Sequence, residues 1–411
     1  AYEWAFGDAN PPVHAMATWK IYNQDKEAND GKGDTYFLER VFHKLMLNFT
    51  WWVNRKDASG KNIFEGGFLG LDNIGVFDRN TQLPLGEHLE QVDGTGWMAM
   101  YSLNLLRIAA ELAINNKAYQ DIASKFFEHF IYIAGAMASM GADSQGLWDD
   151  ADGFFYDQLR LADNSTEKMR VRSIVGLIPL FATEVLDETD ILNNPIFRDR
   201  MKWFSDTRPD LASLVSRWNE KSSNGKHLIS LLRGYRMKSL LKYMLDENEF
   251  LSPYGIRSVS RYHLNNPYYV KVNGMELNMK YTPAESDSGL FGGNSNWRGP
   301  IWMPVNYMII ESLYRFYQYY GDNFKIECPT GSGNFMNLKE VGDEIYRRIS
   351  KIFLLNENSQ RPVFGHCIKM QMDPFFKDHL LFHEYFDGDN GKGLGASHQT
   401  GWTGLIANCM L

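Results

Sequence analysis

The stretch Gly96-Trp97-Met98-Ala99-Met100-Tyr101-Ser102-Leu103-Asn104-Leu105-Leu106-Arg107-Ile108-Ala109-Ala110-Glu111-Leu112 decides the fold class. Trp97, Tyr101, Leu105, Ile108 and Leu112 are spaced by four and three residues, the spacing of one face of an α-helix. Working outward, the same stripe recurs in Leu38, Phe42, Leu45, Phe49 and Trp52, and in Ile122, Phe126, Phe130, Ile133 and Met137. A fourth copy is Val305, Ile309, Leu313, Phe316 and Tyr320. Further helical segments fit near residues 12–23, 173–187, 196–216, 227–245, 338–354 and 400–410. That makes about ten helices with no βαβ alternation, so the chain reads as all-α.

The connections are long and rich in Gly, Asn, Asp and aromatic residues: Asn62–Gly94, Gly146–Arg160, Leu251–Pro300 and Asn356–Thr400. Loops of that length inside a compact domain are usually functional. Amphipathic helices alternating with such loops resemble an (α/α)6 barrel, in which helix hairpins form a double ring and loops at one end build a pocket. No linker is obvious, so residues 1–411 read as one domain. A six-hairpin ring needs twelve helices. With about ten counted, and with a loop-like stretch from Ala1 to Pro12, the expectation is that the chain is the C-terminal part of a longer protein and lacks an early hairpin.

Composition narrows the function. The net charge of -8 and the shortness of the basic runs argue against a nucleic-acid partner. No run of eighteen apolar residues is present, so no membrane insertion is expected. Three scattered cysteines, Cys328, Cys367 and Cys409, do not make a disulfide framework, and a reduced, cytoplasmic compartment is favoured. No Cys-x-x-Cys pair or His-Glu-x-x-His helix suggests a metal centre. The 11 Trp, 21 Tyr and 26 Phe suit a core first, and a sugar-stacking surface second.

Four segments carry chemistry. In Phe64-Glu65-Gly66-Gly67-Phe68-Leu69-Gly70-Leu71-Asp72-Asn73, Asp72 sits among glycines and apolar residues. Such neighbours desolvate a carboxyl and raise its pKa, as a general acid requires. An Asx-turn or helix cap fits the same residue. In Leu89-Glu90-Gln91-Val92-Asp93-Gly94, Asp93 fits a cap for the helix that follows, or a contact to a sugar hydroxyl from that helix N-terminus. In Asn296-Trp297-Arg298-Gly299-Pro300-Ile301-Trp302, the arginine and two tryptophans read as a fixed wall, or as an ion pair with core packing. In Phe382-His383-Glu384-Tyr385-Phe386-Asp387-Gly388-Asp389, a carboxylate lies among aromatics before a Gly-rich loop, with Thr400-Gly401-Trp402-Thr403 downstream. Asp387-Gly388-Asp389-Asn390-Gly391 shares a pattern with calcium loops but lacks the twelfth-position Glu.

Taken together, these segments resemble glycoside hydrolase family 63. It includes the processing α-glucosidase I of N-glycan trimming and bacterial relatives acting on glucosides and mannosylglycerate. The most specific pieces are Gly70-Leu71-Asp72-Asn73, Trp297-Arg298-Gly299-Pro300-Ile301-Trp302, and Glu384 followed by Thr400-Gly401-Trp402-Thr403. The resemblance implies an (α/α)6 barrel that hydrolyses with inversion, with Asp72 as general acid and Glu384 as general base. It implies sugar contacts from Asp93, Trp297, Arg298 and Trp302, and also from Trp4, Gln91, Tyr385 and Trp402. Asn73, where the eukaryotic α-glucosidase has a second Asp, and the long spacing from Asp72 to Asp93 point to a bacterial-type branch.

The chemistry needs two carboxyls and no cofactor. Inversion leaves room for a water, so the two should lie about 6.5–9.5 Å apart. A trehalase-like hydrolase or a glycoside phosphorylase shares the ring, although no phosphate cradle with a partner Lys is visible. A non-catalytic sugar-binding toroid is the third reading, and it expects one of the two carboxyls to be replaced. The expected partner is a carbohydrate, with an α-glucosidic or α-mannosidic bond at the cleaved position.

Overall fold

The computed structural model describes residues 10–54, 64, 70–71, 73–76, 88–138, 146–161, 163, 165–215, 218, 220–232, 234–272, 275–288 and 295–409. Asp72 and Trp4 lie outside them. The chain forms two compact units, each assembled from separated stretches. The first takes Ala1–Gly70, Gln82–Met169 and Ile178–Met237, and the second takes Leu71–Thr81, Arg170–Leu177 and Lys238–Leu411. The stretches of the two units alternate along the chain.

The first unit is helical. Helix α1 (His14–Ala28) and α2 (Thr35–Val53) pack with α3 (Val92–Leu112), and α3 pairs with α4 (Ala118–Ala138). Asp34 caps α2, accepting from Phe37 N at 2.9 Å. The α2 stripe is buried throughout. Helix α3 is buried on nearly every face, so it is the central helix of this unit and not an amphipathic surface one. Phe127 of α4 is fully buried against Phe197, Phe204 and Trp218, at ring separations of 5.7, 6.0 and 5.5 Å. Helices α5 (Glu188–Leu192), α6 (Pro195–Thr207) and α7 (Pro209–Ala212) complete the unit.

Two expected helices turn out differently. The segment near 173–187 is a 3-10 stretch, Ile174–Phe181, followed by a strand, Thr183–Asp187. The strand pairs antiparallel with Lys226–Ser230, from Thr183 opposite Ser230 to Asp187 opposite Lys226. Pro179 lacks the N–H an α-helix needs, and a short buried apolar run cannot be assigned by periodicity alone. The helix expected near 227–245 therefore shortens to α8 (Gly234–Met244).

In the second unit, α9 (Met303–Tyr320) packs on α10 (Leu338–Ser350). Asn337 and Glu340 cap α10 reciprocally: Asn337 Oδ1 accepts from Glu340 N at 2.9 Å, and Glu340 Oε2 from Asn337 N at 2.8 Å. Helices α11 (Ile368–Met372) and α12 (Thr400–Thr403) are short, and the helix expected over 400–410 continues as a 3-10 turn from Gly404 to Cys409. Among the described residues, the helices of eleven residues or more are α1, α2, α3, α4, α6, α8, α9 and α10, fewer than the ten expected. The long loops fold into small antiparallel pairs such as Tyr268–Val272 with Met275–Met279 and Tyr385–Phe386 with Gly393–Leu394. The helix-dominated class expected from the sequence holds.

Candidate active site

Proline at the first turn of α9 and an extended Trp302 at its N-cap set the strand-like run that leads into this helix. Ile301 in that run forms a two-way bridge with Phe386, Ile301 N to Phe386 O at 2.8 Å and Phe386 N to Ile301 O at 3.0 Å. A second neighbour joins on the other side, where Thr282 N donates to Arg298 O at 2.7 Å. The stretches 281–286, 295–302 and 384–388 thus lie together within the second unit.

Glu384 is half-buried, and each of its oxygens accepts a hydrogen bond. Ser295 Oγ donates to Oε1 at 2.9 Å, and Ala396 N donates to Oε2 at 3.2 Å. A carboxylate has about four acceptor positions, so capacity remains for a water. Gly395 makes this approach possible. Its φ is +67°, and a Cβ there would lie 2.7 Å from both Glu384 Oε2 and Tyr385 Cε1. Downstream, Gln399 N donates to Phe382 O at 2.7 Å, and the Thr403 hydroxyl donates to His383 O. The start of α12 is thereby fastened to the two residues just before Glu384.

Four aromatic rings form a continuous column beside this carboxylate. Trp297 stacks on Trp302 at 3.6 Å and 4°, and Trp302 stacks on Tyr385 at 4.8 Å and 25°. Trp402 leans on Trp302 at 5.5 Å and 57°. Trp297, Trp302 and Tyr385 are buried, whereas Trp402 is 38% exposed. The Tyr385 hydroxyl donates to Glu285 Oε2 at 2.7 Å, and burial, followed by this bond, raises the pKa of the phenol.

At the other end, the same run grips the residues flanking Asp72. Asn73 is buried, its Oδ1 accepts from Trp297 N at 2.7 Å, and its Nδ2 donates to Asn296 Oδ1 and Ser286 Oγ, each at 3.3 Å. Arg298, also buried, donates from Nε to Asn73 O at 2.7 Å and from Nη2 to Gly75 O at 2.9 Å. Burial lowers its pKa, against the attraction of Asp287. Asn296 joins everything. Its Nδ2 donates to Thr282 O and Ala284 O at 2.8 and 2.6 Å, its Oδ1 accepts from Arg298 N, and its carbonyl accepts from Trp302 Nε1 at 3.0 Å.

The structure therefore brings Glu384, Tyr385, Trp297, Arg298, Trp302 and Trp402 together. It gives Arg298 a task other than the ion pair weighed from the sequence, because its guanidinium holds two backbone carbonyls. Gln91 and Asp93 belong to the first unit. Gln91 is the N-cap residue of α3, and Asp93 lies inside the first turn with Oδ1 accepting from Gly94 N at 2.9 Å, so it is not the cap. The Asp387 loop is closed by its own hydrogen bonds. Asp387 Oδ1 accepts from Asp389 N, Asp387 Oδ2 accepts from Asn390 Nδ2, and Asp389 Oδ1 accepts from the Tyr281 hydroxyl. Among the described residues no group of His, Cys, Asp and Glu is arranged to hold a metal ion, and no helix is long and apolar enough to cross a membrane.

Sequence reasoning missed Ser295, Asn296, Glu285 and Gly395 as working parts, and treated Asn73 only as a variant position. Asn296 stood within a motif already singled out. Glu285 had no marker.

The family described as the mannosylglycerate hydrolase MGH1-like glycoside hydrolase domain matches residues 2–194 and 227–403. An uncharacterised protein of Saccharomyces cerevisiae, YMR196W, is 51% identical over 99% of this chain, which spans 38% of that protein's length. A probable mannosyl-oligosaccharide glucosidase of Schizosaccharomyces pombe is 31% identical over 43% of the chain, covering 15% of its own length. Among solved structures, the mannosylglycerate hydrolase of Thermus thermophilus in complex with glucose is 16% identical, with a TM-score of 0.49 over 98% of this chain and 75% of that one. A relative as similar as the yeast protein means that the branch is not confined to bacteria. With its motifs in place and the match running across nearly its whole length, the chain belongs to the MGH1-like glycoside hydrolases of family 63.

Proposed function

We propose that this domain hydrolyses an α-glucosidic or α-mannosidic bond with inversion, Asp72 serving as general acid and Glu384 as general base. The observation that carries the reading is the run from Ser295 to Trp302. Its first residue holds Glu384 at 2.9 Å, and its next three hold Asn73, the neighbour of Asp72. One short segment thus bonds both Glu384 and the residue that follows Asp72 in the sequence. In the proposed step Asp72 gives its proton to the leaving oxygen, while Glu384 takes one from the water attacking the opposite face of the anomeric carbon. Trp402 supplies the stacking face, and Trp302, itself stacked on Trp297, supports it. The matched family and the fission-yeast glucosidase support both sugar classes named here. A reducing, cytoplasmic compartment is part of the same proposal, on the three scattered cysteines of the sequence.

The test is a screen of α-linked gluco- and mannosides, followed by anomer-resolved NMR of the first product. Inverted product without added phosphate supports the proposal. Retained product, or turnover that depends on phosphate, rejects it. Glu384→Gln and Asp72→Asn should each lower kcat by at least about two orders of magnitude, the contribution of a general acid or base. Undiminished turnover in either variant rejects the assignment of that residue.

A further inference from the structure

Glu285 takes no part in the chemistry just described, yet it shares a tyrosine with Glu384. The Tyr385 hydroxyl donates to Glu285 Oε2 at 2.7 Å. Successive side chains of a strand usually point to opposite faces. Here Glu384 Oε2 and Tyr385 Cε1 both come within 2.7 Å of one point beside Gly395, so these two side chains run alongside each other. Glu285 thus stands at the far end of the ring that flanks the proposed base. Its backbone is pinned on both sides. Asn296 holds Thr282 O and Ala284 O, and Ser286 Oγ receives Asn73 Nδ2. Glu285 is exposed, and its Oε1 accepts no hydrogen bond among the described residues. Both carboxylates are held by neutral donors, Ser295 for one and Tyr385 for the other, whereas nearby Asp287 is paired with Lys280 at 2.7 Å.

We infer that Glu285 is a substrate-binding, specificity-determining residue whose free oxygen accepts from sugar hydroxyls, and that the Glu285–Glu384 pair selects neutral glycosides over those with a carboxylate on the leaving part. The inference deepens the proposed hydrolase reading and takes the location of the site from it. A fixed acceptor binds a hydroxyl well because its orientation costs nothing further on binding. A second fixed negative charge beside the first disfavours an anionic ligand.

The α-glucosides of glycerol and of glycerate form a matched pair of probes, neutral and anionic, and the mannosides form a second. Calorimetry gives their Kd values with the intact chain and with Glu285→Gln and Glu285→Ala, both at an exposed position. The intact protein should bind one of the glycerol glycosides on the order of threefold or more tighter than its glycerate partner, the scale of an exposed charge pair. Glu285→Gln, which keeps the shape and removes the charge, should bring that ratio close to one. Glu285→Ala should weaken the neutral glycoside about tenfold, the scale of a lost hydrogen bond to a charged group. A preference for glycerate, a ratio unmoved by Glu285→Gln, or no binding of any of the four probes overturns the inference. Tight neutral binding without hydrolysis removes the proposed reaction and leaves the role of Glu285 standing.

Discussion

The α3–α4 hairpin of the first unit and the polar strip of the second are both buried, but they are held by different forces. The hairpin is aromatic and aliphatic side chains packed on one another, with Phe127 closed in by two phenylalanines and a tryptophan. The strip is side chain against backbone: Asn73, Asn296 and Arg298 spend their polar atoms on carbonyls and amides of segments far away in sequence. Packing is non-directional and tolerates some adjustment. Hydrogen-bonded geometry has no such tolerance, since an unmatched buried polar group costs about 1–3 kcal/mol. The first region should therefore govern whether the chain folds, and the second what the folded chain does.

Phe127→Ala should break that division at its strongest point. Removing a fully buried ring costs about 3–5 kcal/mol, visible as a large drop in the denaturant midpoint, while turnover per folded molecule stays within about twofold. Gly395→Ala tests the opposite side. Its Cβ would overlap Glu384 and Tyr385 at a φ that disfavours alanine, so kcat should fall about a hundredfold, the scale of a misplaced catalytic group. A near-normal rate there would mean that Glu384 does not need its present orientation. Arg298→Lys keeps the charge and loses the fork. One ammonium cannot satisfy both carbonyls in the same geometry, and kcat should fall about tenfold, with KM changed less, because the proposed acid is misaligned.

The smallest effect concerns pH. His263 is buried, with Nε2 accepting from Arg172 N at 2.9 Å, and burial holds its pKa below the ordinary 6.5. The unfolded chain therefore binds the proton more readily, and stability should decline as pH falls through 6.5 until the folded-state pKa is passed. Glu249, raised by burial beside the same Arg172, acts with the opposite sign, adding stability as pH falls through its raised pKa. Burial lowers the pKa of His383 as well, so urea midpoints between pH 7.5 and 6 should show a slope shared by both histidines, and His263→Gln should reduce it.

This comparison also explains what could be read in advance. The stripes on α2, α3, α4 and α9 were legible because a 3.6-residue period survives in one dimension. The 183–187 strand was not, because only Val185 and Leu186 of its five residues are apolar, too few to show a period. Glu384, Trp302 and Trp402 were legible as chemistry-bearing types in loop contexts. Ser295, Asn296 and Glu285 were not, because their roles are set by partners from 12 to 223 residues away. Nothing local distinguishes an asparagine that joins three segments from one in a surface turn.

The two carbonyls that Arg298 clasps belong to residues 73 and 75, and this has an evolutionary corollary. Position 298 is a spacer of fixed width as much as a charge, and its mate is main chain, which no substitution can change in compensation. Drift at this position cannot be rescued by a partner switching its side chain, as happens with ordinary ion pairs. When distant sequences are sorted, an arginine here should accompany a loop at residues 73–75 held as it is in this chain, whereas the surrounding aromatic residues can be exchanged for others of similar bulk.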